Sequence, residues 1–398
     1  MKIGIASPVS LTLLASLVRD GESMPEGYPF PFMAHYVEEL VRRGHHVSLF
    51  TLAPQLSEPL LFEGDQLRIH IGRLRPGGRA RDFFAKERQE LIKAMSSDPV
   101  DVLHAHWTYE FALAALQTPA PVLVTAHDAP LNIFRYSPDA YRFIRLLLAG
   151  RVSHQTQHMT AVSPYIQRHF HQVFGYPREI DVIPNGMPDS IYKLNQPSSK
   201  NTKRKIIFAA VLTGWSKIKN GSALLKAFAL ARSNLPESEL WLYGIGHGVG
   251  EQAQRWAEKH RVTQSVVFHG RTPYDHLIQQ LKSSVDVLVH PALEESFSMA
   301  VAEAMALGIP VIGGDHSGAV PDTLGGSGLL VDVRSPNQIA IAMITLAKDG
   351  TLRDKLSRAG NLLAQNKYSL SVVADSYETL YTRFLGPKIH SGPTSQRG

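Results

Sequence analysis

Short apolar runs rich in β-branched residues alternate with amphipathic stretches along most of the chain. In the first half the runs predict strands at Lys2–Ala6, Val47–Thr51, Leu67–Ile71, Val102–His104, Val122–Thr125, Met159–Val162 and Asp181–Ile183. Between the first two, Tyr36, Val37, Leu40 and Val41 recur at helical spacing. They predict a helix over Phe32–Arg43, closed by Gly44. A second series predicts strands at Ile206–Ala210, Glu239–Tyr243, Val266–His269, Val285–His290, Pro310–Gly313 and Gly328–Val331. Helices are predicted at Ser222–Arg232, Gly250–Lys259, Tyr274–Ser283, Met299–Leu307, Pro336–Lys348, Thr351–Asn366 and Ser371–Leu385. Strands alternating with helices indicate a parallel α/β architecture, because a parallel neighbour needs a crossover connection.

The two series are separated by Leu194–Lys205, which is polar and basic and has no core pattern, the composition of a linker. The expected organisation is α/β: two Rossmann-like doubly wound domains facing a central cleft. Residues 1–192 form the first and 193–370 the second. Residues 371–398 supply a helix returning to the first domain, followed by a Gly/Pro/Ser tail. In such folds ligands bind beyond the carboxyl ends of the strands.

With 398 residues, 44% hydrophobic and 19% charged, the chain can bury two such cores. It contains no cysteine, which excludes disulfide scaffolds, cysteine nucleophiles, thiolate zinc sites and iron–sulfur clusters. The formal net charge is +6, and because basic and acidic residues balance up to Asn185, the excess lies beyond it. That suits an anionic ligand such as a nucleotide, and it suits a solvated basic surface equally. No clustered Arg/aromatic stripe points to nucleic acid. No apolar run reaches the ~18 residues of a membrane helix. Met1–Val18 is apolar, but Ser7, Pro8 and Ser10 interrupt it and no small-x-small cleavage site follows. The expected location is cytoplasmic, with peripheral contact to the inner membrane face left open.

The segment His290–Val311 is the richest in chemistry. A strand ends at His290, a loop carries Glu294 and Glu295, and a helix then runs from Met299 towards Gly308. The amides of Phe297, Ser298 and Met299 at its start suit phosphate oxygens. Glu303, inside the helix, can accept hydrogen bonds from the vicinal hydroxyls of a ribose. Plainer roles suit the same residues: Glu295 as a helix cap and Glu303 as a solvated charge. Lys217 and Lys219 follow the strand Ile206–Ala210 and can neutralise a diphosphate, or form a basic surface loop. His127 and Asp128 end another strand, where a histidine is as readily structural and Asp128 suits a turn cap. After Glu239–Tyr243 comes Gly244-Ile-Gly246-His-Gly248, with Val249 at the third glycine position of a dinucleotide fingerprint. That loop reads as lining a nucleotide through Gly244.

In this order the motifs resemble the retaining nucleotide-sugar glycosyltransferases of family 4, which have the GT-B fold. Glu295-Ser-Phe-Ser-x4-Glu303 followed by Ala304-x-Ala306-x-Gly308-x-Pro310-Val311 carries most of the resemblance. Arg42–Val47, Asp101–Trp107, Val124–Asp128, Val162-Ser163, Val182–Gly186, Ser317–Asp322 and Gly328–Val331 extend it over nearly the whole chain. The resemblance implies that Glu303 binds the nucleotide ribose and that Glu295 lies by the donor sugar. It implies that Phe297–Met299 offer amides to sugar and diphosphate, with Ser298 where the family usually has glycine. Lys219 matches the family lysine; the family arginine is missing, with Gly214 or Trp215 nearest its position and Lys217 a candidate substitute. His127 matches a histidine that contacts the donor sugar. Gly27 stands where the family usually has a Gly-Gly pair at the diphosphate, and the long Pro8–Gly27 loop would help hold the acceptor.

The function so implied is transfer of a sugar, with retention, from a nucleoside-diphosphate sugar to a hydroxyl of a sugar, glycolipid or other acceptor. Bacterial surface polysaccharide or glycoconjugate assembly is the implied setting. His127, Lys219 and Glu295 would be catalytic. Lys217, Phe297, Ser298, Met299, Glu303, Gly27 and Gly244 would bind the donor. No cofactor and no metal are expected, the sugar nucleotide being a substrate. Two other readings stand beside this one. The chain could be a non-catalytic nucleotide- or carbohydrate-binding relative, or a metal-dependent hydrolase built on His104, His106, His127 and Asp128, although no further ligand set is apparent.

Overall fold

The computed structural model describes residues 1–194 and 205–385. The stretch read as a linker lies mostly outside them, as does the tail beyond Leu385. Contacts group the chain into two compact units. One comprises Met1–Val124, Gln155–His158 and the chain from Ser371; the other comprises Thr125–His154 and Met159–Leu370.

The strands are β1 (Lys2–Ala6), β2 (His46–Pro54), β3 (Leu60–Glu63), β4 (Leu67–Leu74), β5 (Val102–His106), β6 (Val122–Ala126), β7 (Met159–Ala161) and β8 (Ile180–Val182). Then follow β9 (Ile207–Val211), β10 (Glu239–Tyr243), β11 (Val266–Gly270), β12 (Val287–His290), β13 (Val311–Gly314) and β14 (Leu329–Val331). The first sheet has the order β3-β4-β2-β1-β5-β6-β7-β8 and the second β11-β10-β9-β12-β13-β14. The second is parallel throughout. In the first, β1 pairs in parallel with β2 and β5, while β3 joins antiparallel at the edge. The expected α/β class is therefore observed. The edge strand β3 was not expected, and the reason is physical: only Phe62 of its four residues is buried, so it carries no readable alternation.

Both sheets are covered on both faces, which is why their central strands read as unbroken apolar runs. In the second sheet, Phe208, Leu240 and Leu242 pack with Leu224, Leu225 and Phe228 of the helix Gly221–Ala231. Ile207, Ala209 and Leu288 belong to the opposite core, with Val301 and Met305 of the helix Met299–Ala306. Each sheet has a switch point where successive strands go to opposite sides, at β1/β5 and at β9/β12. Doubly wound folds open their ligand crevice at such points.

The last helix, Leu370–Leu385, carries the polar groups that tie it into the first unit. Arg43 donates to Asp375 at 2.6 Å and to Glu378 at 2.8 Å. Buried Tyr381 places its hydroxyl 2.8 Å from the Tyr36 hydroxyl and 2.6 Å from His104 Nδ1. His104, a member of the alternative hydrolase set, is thus part of this buried network, its ring centroid 4.0 Å from that of His106.

Gly244, after β10 in the second sheet, packs on the chain after β9. Its φ is +108°, and a Cβ there would fall 1.9 Å from the carbonyl oxygen of Leu212. Gly44 also has a positive φ, +83°, but faces open space. Gly244→Ala is expected to cost ~2–4 kcal/mol and Gly44→Ala only ~1–2 kcal/mol. Urea unfolding of the two variants checks this; equal losses would contradict it.

Candidate active site

The loops after β9 and β12 meet because their strands are neighbours at the switch point. Backbone and side-chain bonds fix the approach. The Leu293 amide donates to the Ile218 carbonyl at 2.8 Å. Asn220, in the left-handed region at φ 53°, donates through its amide to the carbonyls of Pro291 at 3.0 Å and Val333 at 2.8 Å. Lys219 is thereby brought to Glu295, with Nζ donating to Oε1 at 2.7 Å. Buried His290 closes the group, its Nε2 lying 3.3 Å from Glu295 Oε1 and 3.3 Å from Ser298 Oγ. Burial alone would raise the pKa of Glu295, but Lys219 and His290 outweigh it and hold the carboxyl at about 2.

Glu294, next in the chain, has the opposite surroundings. Burial pushes its pKa up to about 7, opposed by a hydrogen bond from Tyr165 and reinforced by the charge on Glu295. The Tyr165 hydroxyl donates to Glu294 Oε1 at 2.5 Å and accepts from the Asn132 amide. Ser163 donates to the Ser296 carbonyl at 2.7 Å, and the Ala319 amide donates to that of Glu295 at 2.8 Å. Gly318 permits this contact, since a Cβ there would lie 2.3 Å from the Glu295 oxygen. The loop is therefore held from three sides before any ligand arrives.

The helix Met299–Ala306 begins at Ser298, whose φ of +72° explains why a glycine would suit this position. The Ser298 side chain makes no capping hydrogen bond, and the Glu295 carboxylate is bonded to Lys219 and His290 rather than to a helix amide. Phe297 is buried edge-on against Tyr368, at 5.1 Å between ring centroids, and its carbonyl accepts from Thr323 at 2.5 Å. Met299 is half-buried. Glu303 is 7% exposed, which excludes a solvated helix charge. Burial raises its pKa to about 7, against a hydrogen bond from Tyr274.

The remaining candidates fall as follows. His127 is buried just beyond β6, and burial lowers its pKa to about 3, so it is neutral. Lys217 is exposed on the loop that carries Lys219. Gly244 packs on Leu212, as described. Gly27, in the first unit, has φ +72° and forms an antiparallel bridge with Ser10.

Comparison with known proteins identifies the family and the fold. The model described as glycosyltransferase family 4 matches residues 32–190, and that of glycosyl transferases group 1 matches residues 192–362. The chain belongs to glycosyltransferase family 4. It is 22% identical over 306 residues to N-acetyl-alpha-D-glucosaminyl L-malate synthase of Bacillus anthracis, covering 73% of this chain and 77% of that protein. Its fold superposes on sucrose-phosphate synthase of Thermosynechococcus elongatus with a TM-score of 0.73 at 16% identity, over 96% of this chain and 98% of the other. HepE of Anabaena, solved with UDP and glucose, superposes with a TM-score of 0.69 at 17% identity, over 96% and 99%.

Sequence reasoning on this glycosyltransferase missed Tyr165, Asn132, Tyr274 and the close packing of His290. Tyr165 and Asn132 lie more than a hundred positions from the loop they support, and no local pattern signals such a contact. The Glu295 environment gives a direct test. Lys219→Met leaves the carboxyl buried and removes its main cation, so the Glu295 pKa should rise from about 2 to above the usual carboxylate value. Carbon-13 NMR titration of the glutamate carboxyls reads it; an unmoved pKa would contradict the pairing.

Proposed function

We propose that this glycosyltransferase moves a sugar from a nucleoside-diphosphate sugar to an acceptor hydroxyl with retention of configuration. The observation that carries the reading is the meeting of Lys219, Glu295 and the start of the Met299–Ala306 helix at the β9/β12 switch point. A cation and helix amides in one place suit a diphosphate, and a buried carboxylate on the same helix suits ribose hydroxyls. In this reading Glu303, held by Tyr274, binds the ribose. The Phe297–Met299 amides and Lys219, with Lys217 beside it, take the diphosphate. Glu295, ionised throughout the neutral range, orients Lys219 and faces the donor sugar. Gly244 lies in the loop after β10, whose backbone would approach the donor. Neutral His127 can hydrogen-bond a sugar hydroxyl.

The reaction is a front-face displacement. The bond from the anomeric carbon to the diphosphate oxygen breaks as the bond to the acceptor oxygen forms on the same face. The acceptor proton passes to the departing phosphate oxygen. Lys219 and the helix amides stabilise the charge that develops on the leaving group. No divalent cation or cofactor has a part, so turnover should persist in EDTA. Assembly of a surface polysaccharide or other glycoconjugate is the fitting role, and the acceptor is a hydroxyl compound.

The two glutamates separate the parts of this reading. Glu303 titrates at about 7 when unliganded, and ribose hydroxyls need it ionised. Sugar-nucleotide affinity should therefore fall as pH drops below 7, approaching about tenfold per pH unit. Glu303→Gln should bind ~10–150-fold more weakly at pH 8 and lose the pH dependence. Glu295→Gln should keep it. Calorimetry from pH 6 to 8 with UDP- and GDP-sugars, whose diphosphates do not titrate there, checks this. Binding of no sugar nucleotide, or a Glu303→Gln profile like wild type, would contradict the reading.

A further inference from the structure

The first sheet has its own switch point, at β1/β5, where Ala6 pairs with Ala105. Trp107 follows β5 directly, in the left-handed region at φ +66°. A bulky residue held there is strained, and such strain persists where a side chain must be aimed. From the β1 side the chain returns through Gly27 into Tyr28-Pro29-Phe30-Pro31-Phe32. The Phe30 ring lies 5.1 Å from Trp107 and 6.3 Å from Tyr28, and Phe32 lies 6.1 Å from Trp107. All four rings are half-buried, and the prolines stiffen the segment that carries them.

Thr108 and Glu110 follow Trp107 in the chain, at the same end of β5. Thr108 is fully buried and Glu110 is 7% exposed, and Thr108 Oγ1 and Glu110 Oε2 make no hydrogen bond within the described residues. Buried polar atoms are nearly always paired, so two unpaired acceptors next to a strained tryptophan call for a donor from outside the chain. Neither Ser23–Phe32 nor Trp107–Leu116 contains lysine or arginine.

We propose that Trp107, Phe30, Thr108 and Glu110 form a subsite for a neutral carbohydrate. The C–H face of a pyranose ring stacks on the aromatic platform, and its hydroxyls donate to the Glu110 carboxylate and the Thr108 hydroxyl. An acyl chain would use the rings but leave Glu110 unpaired, and a phosphorylated headgroup would bring its charge against the Glu110 carboxylate, with no lysine or arginine in either segment. That this sugar is the acceptor rests on the transferase reading above; that it binds here does not.

Saturation-transfer NMR with the methyl glycosides of glucose, galactose, mannose and N-acetylglucosamine tests the subsite on the whole protein. At least one glycoside should receive saturation at its ring protons. Trp107→Ala and Glu110→Gln should weaken its binding about tenfold, Trp107→Phe should largely retain it, and all three should keep sugar-nucleotide affinity. Phe30→Ala, on the ring nearest Trp107, should weaken it in the same direction. Binding of none of the glycosides, or binding indifferent to these substitutions, would overturn the proposal. So would transfer from the protein to the alkyl chain of dodecyl maltoside without transfer to its sugar. Glycoside binding without any sugar-nucleotide binding would support the subsite and refute the transferase reading instead.

Discussion

The 2.7 Å ion pair between Lys219 and Glu295 is the constraint on which the candidate site turns. Side chains of this kind are costly to desolvate singly, and each offsets the other's burial. The pair also ties two loops that lie 76 positions apart in the chain. Asn220, bonded to the carbonyls of Pro291 and Val333, sets the backbone that aims Lys219. A lysine held in place before a phosphate arrives needs little reorganisation when charge develops, which is the condition for electrostatic stabilisation of a leaving group.

Glu295 and two neighbouring glutamates, Glu294 and Glu303, do not share one charge state because their surroundings differ. Glu295 is held near 2 by its cations. Burial pushes Glu294 and Glu303 up to about 7, each against a hydrogen bond from a tyrosine hydroxyl. One short segment therefore offers a permanent carboxylate and two that titrate near neutrality. Environments that separate the pKa values of like groups are how a site assigns them different tasks. The same logic makes His127 a neutral hydrogen-bonding group, since burial removes its charge.

Much of this was legible in the sequence because it is local. The strand–loop–helix run from His290 to Gly308 places Glu295 and Glu303 by spacing alone, and apolar runs buried on both faces reveal the central strands. β3 was not legible, since one buried residue makes no pattern. Nor were Tyr165, Asn132 and Tyr274, whose contribution depends on contacts made only when distant segments meet. The glycines divide in the same way. Gly244 was read as lining a ligand, whereas its φ of +108° and its contact with Leu212 give it a packing role first. Ser298 carries a positive φ without being glycine, a backbone demand that the residue itself conceals.

The central claim is that Lys219 and Glu295 act as one unit on the departing diphosphate. A double-mutant cycle on kcat/KM with Lys219→Met, Glu295→Gln and the double variant measures it directly. If the pair is a unit, each single change should lower kcat/KM by ~10²-fold or more, and the double variant should lose little beyond the worse single. Losses that simply multiply would mean that the two side chains act independently and would contradict the account.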